Sequence, residues 1–532
     1  MIGFANLENN LGVSPFLLAA RRAALAEGEH RGYPRMDHSL KNLLSGTTVL
    51  ALRGDADRVV TGLVTDSRRV VPGALFFALE GTRVNGADYI EEAVGRGAVA
   101  VVSARPPAKH LPVAWAQVLD VRVAMAEVAR HFYRDPDDAL FLAGVTGTNG
   151  KTTVAMMAQF LLREPDAPCG LIGTVRYEVG QRTLPSYKTT PESVDLFALF
   201  DQMREAGCQS CAMEVSSHAL DQSRVHGVRF DAVGFTNLTQ DHLDYHETLE
   251  NYFNAKAKLF TGESGHQPSP AVINIDDPYG RVLVERLPAG VEATTYGFSA
   301  SASLRAVNVV LSPGGSQCEV EWSGGRSRLT LGLPGRYNIL NALCALGLAR
   351  AAGRDLNLLV PKLANFPGVS GRMEKIEVGQ PFQVLVDYAH TDDALSHALT
   401  MLRDVCPGRL LVVYGCGGNR DRAKRPRMTA AVQRWADFAW ATADNPRKEP
   451  LSQIFADMRT GVTAPTRIRF VDDRRRAIGL ALESARPGDC VLIAGKGHET
   501  YQEFADTVVP FDDRQVAREL LNWRYGAPSP LT

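Results

Sequence analysis

The chain has 532 residues, of which 45% are hydrophobic and 22% charged, and its formal net charge is -1. This length exceeds what one hydrophobic core serves, and the near-neutral charge argues against a protein that binds nucleic acid by bulk electrostatics. The eight cysteines form no zinc or disulfide pattern, which suits a reducing compartment. We find neither a bilayer-spanning apolar stretch nor a signal-peptide layout, so we expect a cytoplasmic protein without a membrane span.

The first 135 residues contain an extension and a small α/β unit. Residues 1–35 hold one short amphipathic stretch, Pro15 to Leu25, and we predict an extension outside the fold. Residues 36–135 alternate short apolar runs with helical periodicity, which predicts a smaller α/β domain. Polar residues follow its strands, where ligands of α/β sheets bind. The sequence alone does not distinguish whether these polar residues form a ligand site or an ordinary capped turn.

A glycine-rich loop follows the first strand of the next unit, residues 136–365. The loop is Gly147-Thr148-Asn149-Gly150-Lys151-Thr152-Thr153, between an apolar run and residues at helical spacing. Glycines let backbone N–H groups close around an anion, and the helix dipole adds positive potential. Lys151 would reach the terminal phosphates of a nucleotide, and Thr152 would hold Mg²⁺. The usual first glycine of such a loop is replaced by Val145, with glycines at 144 and 147 instead.

Two further segments of this unit carry candidate metal ligands. Glu214 lies near the end of an apolar run, at the sheet edge where a magnesium ligand opposite a phosphate loop belongs. Lys256 lies among the apolar positions of a helix that begins near Leu249, and such a lysine has a depressed pKa and can act as a neutral amine. On the residues alone, a snorkelling lysine is the simpler explanation.

The last unit, residues 366–532, predicts a doubly wound domain in which four strands are each followed by a polar loop. These loops are Asp387–His390, Gly415–Asp421, Asp444–Arg447 and Gly495–Glu499. Across the chain, apolar runs predict strands at 60–64, 74–79, 98–102, 140–145, 171–175, 211–215, 232–236, 271–275, 382–386, 410–414, 438–442 and 490–494. The predicted fold is α/β with three domains: a smaller N-terminal α/β domain, a central P-loop ATPase with a mostly parallel sheet, and a C-terminal doubly wound α/β domain.

With these loops in this order, the chain resembles a Mur ligase over roughly residues 40 to 525. The resemblance implies a UDP-sugar domain, a central ATP-binding domain and a C-terminal amino-acid domain. It implies that ATP drives the addition of meso-2,6-diaminopimelate to the D-Glu of UDP-N-acetylmuramoyl-L-Ala-D-Glu, through an acyl phosphate, in peptidoglycan precursor synthesis. Two Mg²⁺ ions are the implied cofactors and ATP is a co-substrate. No nucleic acid is implied, and we expect a monomer.

The resemblance also assigns residues to four groups. The ATP group is Gly147, Thr148, Asn149, Gly150, Lys151, Thr152, Thr153, Asn338, Asp387 and His390. The UDP-sugar group is Thr65, Ser67, Thr82, Arg83, Val84, Lys188, Thr189, Thr190, Ser216, Gln222 and Arg224, with Lys188 replacing the asparagine typical of the family. The amino-acid group is Arg420, Asp444, Asn445, Pro446, Arg447, Gly495 and Glu499. The metal group is Thr152, Glu214, His242 and Lys256, the last as a carbamylated lysine; the catalytic residues are Lys151, Lys256 and His242.

The loop Asp444–Arg447 carries the specificity argument. Diaminopimelate differs from lysine by a second carboxylate on its far carbon, and Arg447 can hold a carboxylate bidentately. Lysine would leave that guanidinium unpaired, which is costly in a buried site. By resemblance, Glu499 would accept the distal ammonium.

Two alternatives stay open on the sequence. A folylpolyglutamate synthetase shares the ATPase core, but it would lack the N-terminal UDP domain and would not need Asp-Asn-Pro-Arg. A P-loop switch or transport ATPase would use hydrolysis to move a partner. That function leaves the C-terminal loops and the Lys256 helix unexplained, and ATP turnover without a small acceptor would favour it.

Overall fold

The computed structural model describes residues 38–81, 84–107, 110–268 and 270–525, which are organised around three large β-sheets. The predicted extension 1–35, and Thr82 and Arg83 of the predicted UDP-sugar group, lie outside the described residues. Three α/β sheets in chain order agree with the predicted fold class. The domain boundaries at 135/136 and 365/366 stay predictions.

The first sheet belongs to the N-terminal unit. Its strands are β1 (Val49–Arg53), β2 (Gly62–Val64), β3 (Ala74–Ala78), β4 (Ala100–Ser103) and β5 (Ala114–Val118), and its helices are α1 (Leu40–Leu43), α2 (Ile90–Gly95) and α3 (Val121–Phe132). The strand order is β1-β5-β4-β3-β2, and only β1 runs antiparallel to its neighbour. All residues of β3 and β4 are buried, as expected of parallel strands covered on both faces.

The central sheet has eleven strands. They are β6 (Phe141–Thr146), β7 (Cys169–Ile172), β8 (Arg176–Val179), β9 (Arg182–Pro185), β10 (Ser210–Glu214), β11 (Ala232–Phe235), β12 (Ala271–Asn274), β13 (Ala293–Gly297), β14 (Leu304–Ser312), β15 (Gly315–Trp322) and β16 (Gly325–Leu331). The helices are α4 (Lys151–Leu162), α5 (Ser193–Glu205), α6 (Ser217–Asp221), α7 (Leu243–His246), α8 (Leu249–Thr261), α9 (Pro278–Glu285), α10 (Arg336–Ala351) and α11 (Leu356–Lys362).

The strand order of this sheet is β16-β15-β14-β13-β12-β11-β6-β10-β7-β8-β9. The strands from β14 to β7 are parallel, and antiparallel hairpins extend the sheet at both ends. Helix α10 packs closely on one face, where a β-carbon at Gly347 would lie 2.5 Å from Val272 Cγ1. This arrangement sets the amino end of α4, directly after β6, at the carboxyl edge of the parallel strands.

The last sheet has six strands and belongs to the C-terminal unit. Its strands are β17 (Glu374–Lys375), β18 (Gln383–Asp387), β19 (Leu410–Cys416), β20 (Phe438–Ala443), β21 (Ile468–Val471) and β22 (Cys490–Ala494), and a separate hairpin comprises β23 (Tyr501–Phe504) and β24 (Thr507–Pro510). The helices are α12 (Asp392–Val405), α13 (Lys424–Trp435), α14 (Leu451–Arg459), α15 (Arg474–Ser484) and α16 (Asp513–Tyr525).

The order of the last sheet is β17-β18-β22-β19-β20-β21, and the strands from β18 to β21 are parallel. The four polar loops predicted from the sequence follow β18, β19, β20 and β22, so all four lie at one edge, as expected. None of the helices in the described parts of the chain is both long and apolar enough to cross a bilayer.

A buried ion pair ties the last helix to this sheet. Arg474 Nε and Nη2 donate to the two carboxylate oxygens of Asp513 at 2.7 Å each, and both side chains are fully buried. Asp513→Ala would leave the buried guanidinium of Arg474 without its carboxylate partner, so we expect the free energy of unfolding to fall by about 3–5 kcal/mol. Urea denaturation followed by circular dichroism measures this. The matched control is Glu519→Ala, which removes an exposed pair with Arg475; equal losses in both variants would contradict the prediction.

Candidate functional site

A cleft of about 630 Å³ lies between the central and C-terminal units, because residues of both line it. The predicted site residues that line it are Thr148, Asn149, Gly150, Lys151, Thr152, Thr153, Thr189, Glu214, Ser216, His242, Lys256, Asn338, Asp387 and His390. The structure therefore brings the predicted ATP and metal groups together, although the sequence separates them by up to about 240 positions.

The phosphate loop depends on two glycines. Gly147 and Gly150 have φ of 147° and 90°, in the region that favours glycine. A β-carbon at Gly147 would lie 1.9 Å from Thr236 Oγ1, and one at Gly150 would lie 2.4 Å from Asn341 Oδ1. Helix α4 begins at Lys151, so its free N–H groups and positive dipole end face the cleft. The loop can therefore cradle a phosphate.

Two lysines meet at this loop. Lys151 Nζ donates to the carbonyl oxygens of Gly147 and Thr148 at 2.9 Å, and Lys256 Nζ donates to the same Gly147 oxygen at 2.9 Å. Burial, and next the charge of Lys151, hold the pKa of Lys256 well below its ordinary value, and burial also lowers the pKa of Lys151. Lys256 is 1% exposed, so the snorkelling interpretation is wrong. It is a buried amine that favours the neutral form.

Glu214 lies at the end of β10 and is 1% exposed. Thr152 Oγ1 donates to its Oε2 at 2.9 Å, while the backbone N–H of Thr174 donates to Oε1 at 2.7 Å. Carboxylate and hydroxyl oxygens side by side are a donor set that suits Mg²⁺. Within the described ranges no three His, Cys, Asp or Glu side chains form a metal cluster.

His242 also lines the cleft. Its backbone is left-handed, with φ of 54°, and its ring centroid is 4.8 Å from that of His218. Partial removal from water lowers the pKa of both imidazoles. Both histidines are therefore expected to be neutral near pH 7, the form in which imidazole can act as a metal ligand or hydrogen-bond acceptor.

The predicted UDP-sugar group divides between two sheets. Arg224 Nη2 donates to Gln222 Oε1 at 2.6 Å, and its Nη1 donates to the Thr190 carbonyl at 3.1 Å. Ser216 N donates to Thr190 Oγ1 at 3.1 Å, which joins this cluster to the cleft. Lys188 Nζ pairs with Glu192 at 2.7 Å. Thr190, Ser216, Gln222 and Arg224 are thus one hydrogen-bonded cluster.

The other described members of that group lie beside the first sheet. The Ser67 hydroxyl donates to Glu92 Oε2 at 3.0 Å, so it already has an acceptor within its own unit. Thr65 and Val84 are exposed. Exposure leaves these two positions accessible to a ligand, and their assignment to uridine stays a prediction.

The predicted amino-acid group forms a second cluster, at the ends of β19, β20 and β22. Asn445 Nδ2 donates to Glu499 Oε2 at 3.0 Å, and Arg447 Nη1 donates to the Gly418 carbonyl at 3.0 Å. Gly495 has a φ of 114°, and a β-carbon there would lie 2.6 Å from Asp444 Oδ2. Pro446 belongs to the same turn, and Arg420 is exposed beside it. All seven predicted residues follow neighbouring strands.

Arg447 differs from expectation in one respect. Its Nε lies 2.8 Å from Glu503 Oε2 in an ion pair, and its backbone N–H donates to the Glu503 carbonyl at 2.9 Å. The guanidinium therefore has a carboxylate partner before any substrate binds. A bound lysine would not leave Arg447 entirely unpaired, so the discrimination expected from this residue is smaller than the sequence argument implies.

Several cleft and loop residues were missed by sequence reasoning: Thr174, Arg372, Tyr388, Asp393, Lys496 and Glu503. Asp393 Oδ2 accepts from Thr239 Oγ1 at 2.8 Å and from Asn149 Nδ2 at 3.4 Å, which links α12 to the phosphate loop. The Arg372 guanidinium lies 4.5 Å from the centre of the Tyr388 ring. Tyr388 and Lys496 lie within predicted polar loops but were assigned no role, and a position in or beside such a loop does not identify the partners of a residue.

Similar proteins were found across almost the whole chain. It is 44% identical over 467 residues to the UDP-N-acetylmuramoyl-L-alanyl-D-glutamate--2,6-diaminopimelate ligase of Solibacter usitatus, covering 88% of this chain and 94% of that protein. This chain belongs to the Mur ligase family. The ligase of the same name from Geobacillus thermodenitrificans is 44% identical over 490 residues, covering 91% of this chain and 99% of the relative.

Family descriptions and solved structures agree with this membership. Residues 59–133 match "Mur ligase family, catalytic domain", 145–349 match "Mur ligase middle domain", and 371–497 match "Mur ligase, glutamate ligase domain". A solved structure of a UDP-N-acetylmuramoyl-L-alanyl-D-glutamate--2,6-diaminopimelate ligase superposes with a TM-score of 0.69 at 33% identity, covering 92% of this chain and all of that one. The predicted Mur ligase resemblance and three-domain fold class are confirmed.

The comparisons bear differently on the two alternatives, a folylpolyglutamate synthetase and a switch or transport ATPase. A folylpolyglutamate synthase from Mycobacterium tuberculosis superposes with a TM-score of 0.56 at 17% identity, covering 76% of this chain and 96% of that one, which is a likeness of fold alone. A switch or transport ATPase is not supported, because the Mur ligase matches extend through all three units of this chain. The chain is an ATP-dependent ligase.

Proposed function

We propose that this Mur ligase joins meso-2,6-diaminopimelate to the terminal D-Glu carboxylate of UDP-N-acetylmuramoyl-L-Ala-D-Glu, with cleavage of ATP to ADP and phosphate. The observation that carries the proposal is the high identity to diaminopimelate ligases over nearly the full chain. The amino-acid cluster around Arg447 and Glu499 supports it, because the distal end of diaminopimelate carries one carboxylate and one ammonium. We also propose a cytoplasmic monomer.

The chemistry has two steps. The substrate carboxylate attacks the γ-phosphorus of ATP, which gives an acyl phosphate and ADP. The amino group of diaminopimelate then attacks the acyl carbon, and phosphate leaves from a tetrahedral intermediate. Phosphoryl transfer needs mainly positioning and charge neutralisation. Lys151 and the amino end of α4 supply positive potential to the phosphates, while Asn338, Asp387 and His390 would hold the adenosine.

We propose that four side chains hold two Mg²⁺ ions: Thr152, Glu214, His242 and Lys256. When bound, Mg²⁺ would offset the repulsion between the γ-phosphate and the substrate carboxylate. Lys256 suits this role as a carbamate, because a neutral amine adds CO₂ and releases a proton, leaving an anionic oxygen donor. Burial and the nearby charge of Lys151 favour the neutral amine that this addition needs.

Arg447→Ala is expected to lower the selectivity for diaminopimelate over L-lysine. One charge-assisted hydrogen-bonded pair is lost, so the ratio of the two kcat/KM values should fall by about 10- to 100-fold. ADP release with each amino acid measures the ratio. The control is Lys448→Ala, at the next position, where the side chain is 71% exposed and pairs with Asp506. An unchanged ratio in Arg447→Ala would rule out this role.

The function is tested by ADP release with UDP-N-acetylmuramoyl-L-Ala-D-Glu, Mg²⁺ and ATP, comparing meso-diaminopimelate with L-lysine. We expect turnover with diaminopimelate and a product heavier by that amino acid. Turnover with lysine alone would keep the ligase but overturn the proposed substrate. ATP hydrolysis without either amino acid being joined would overturn the ligase function itself.

A further inference from the structure

Lys496 is a fully buried lysine in the loop after β22, with a side-chain exposure of 0%. Its Nζ donates to Glu499 Oε2 at 2.9 Å and to Asn445 Oδ1 at 3.0 Å. A buried ammonium is costly unless it is paired and hydrogen-bonded. The assignment of site residues by resemblance leaves Lys496 out, although it contacts two members of the amino-acid group.

These contacts determine which oxygen of Glu499 is left for a ligand. Oε2 accepts from both Lys496 Nζ and Asn445 Nδ2, whereas no donor in the described part of the chain reaches Oε1. The Glu499 side chain is 19% exposed, so Oε1 can meet a ligand. Asn445 is itself fixed, since its Oδ1 also accepts from the Glu503 N–H at 3.1 Å. Lys496, Glu499 and Asn445 therefore form one hydrogen-bonded unit.

The charges of the cluster balance before substrate binds. Lys496 pairs with Glu499, and Arg447 pairs with Glu503 at 2.8 Å, so these two ion pairs, at the predicted amino-acid group, carry a net charge of zero. A substrate end that carries both an ammonium and a carboxylate is also neutral. An end that carries only an ammonium would add an uncompensated positive charge near two cations.

We propose that Lys496 is a specificity-determining and positioning residue. It orients Glu499 so that Oε1 receives the distal ammonium of the amino acid, and it supplies the charge that makes the cluster select a zwitterionic end over a cationic one. The inference rests on the proposed function, because diaminopimelate has such an end and L-lysine does not. Lys496 acts through Glu499 and Asn445 rather than on the reacting atoms.

Lys496→Met tests this by removing the charge while keeping the length of the side chain. We expect the KM for diaminopimelate to rise and the ratio of kcat/KM for diaminopimelate over L-lysine to fall by about tenfold or more. The KM for ATP should stay unchanged, because the ATP cleft is lined by other residues. Lys448→Met is the matched control, and it should leave both amino-acid constants unchanged.

Asn445→Asp gives a second test that removes no buried cation. It keeps the side-chain shape and adds one negative charge beside Lys496. The ratio of kcat/KM for diaminopimelate over L-lysine should therefore fall again. An unchanged ratio in both variants, with wild-type use of diaminopimelate, would overturn the role of Lys496. If the wild-type enzyme does not use diaminopimelate at all, the proposed function fails instead. The two failures are therefore distinguishable.

Discussion

Lys256→Met is expected to lower the rate of ligation by about 10³-fold, because the metal ion that Lys256 would hold as a carbamate would offset several kcal/mol of the barrier. The same change is expected to raise the free energy of unfolding. The amine of Lys256 is 1% exposed and shares its carbonyl acceptor with Lys151. Methionine fills similar space without a group that must lose its charge on burial. Stability and activity should thus change in opposite directions.

The increase in the free energy of unfolding expected of Lys256→Met depends on pH in a definite direction. The pKa of Lys256 is well below its ordinary value in the folded protein, so the unfolded chain binds more protons between the two pKa values. Wild-type stability therefore falls as the pH falls through that interval, beginning at the ordinary lysine pKa of about 10.4. Methionine does not titrate, so the stability advantage of Lys256→Met should grow as the pH is lowered from 10 toward 7.

Urea denaturation at several pH values in CO₂-free buffer measures this advantage, and ADP release in bicarbonate measures the rate. Lys258→Met is the control on the same helix, since Lys258 is partly exposed and pairs with Asp221. Lys258→Met should have little effect on either the free energy of unfolding or the rate of ADP release. Wild-type activity in Lys256→Met would show that this amine holds no essential metal ion.

Glu214→Gln is expected to lower the rate of ATP-dependent ligation by about 10²- to 10³-fold, because a preorganised charge at the reacting centre is lost. Glutamine keeps the shape and one acceptor oxygen, so the bonds from Thr152 and Thr174 should be partly retained. A metal-binding role predicts that the Mg²⁺ concentration for half-maximal rate also rises. Rates measured across a Mg²⁺ titration distinguish a loss of metal binding from a loss of activity caused by a disturbed structure.

Glu178→Gln is the matched control for this prediction. Glu178 lies on β8, accepts from Gln159 and Arg176, and does not line the cleft. It should leave the Mg²⁺ dependence unchanged. A Glu214→Gln enzyme with a reduced rate but a wild-type Mg²⁺ dependence would contradict the assignment of Glu214 as a metal ligand.

The strands were predictable where an apolar run ends sharply at polar residues. The predicted strand 490–494 coincides with β22, and 410–414 and 438–442 fall within β19 and β20. Parallel topology then places their polar loops at one edge, which is why much of the candidate site could be assembled from sequence. Lys256 was also predictable in position, but only the structure shows that its amine is buried.

The failures have physical causes. The strand predicted at 171–175 exists but lies earlier in the chain, because β7 comprises Cys169–Ile172 and the backbone N–H of Thr174 donates to Glu214 instead of to a neighbouring strand. The edge strand β1 was not predicted, since its residues are at most partly buried and give no strong apolar run. Pairings such as Glu503 with Arg447 depend on a hairpin docking against a distant loop, and no local pattern specifies that.

Transfer of ¹⁸O from the D-Glu carboxylate of the muramyl substrate tests the central claim, acyl-phosphate ligation, most directly. The enzyme is given substrate labelled in that carboxylate, with ATP, Mg²⁺ and diaminopimelate, and the phosphate released is analysed by mass spectrometry. If the carboxylate attacks the γ-phosphorus, each phosphate formed should carry one ¹⁸O from the substrate. Phosphate without ¹⁸O, released at the rate of ADP formation, would mean that water attacks ATP and would contradict the account.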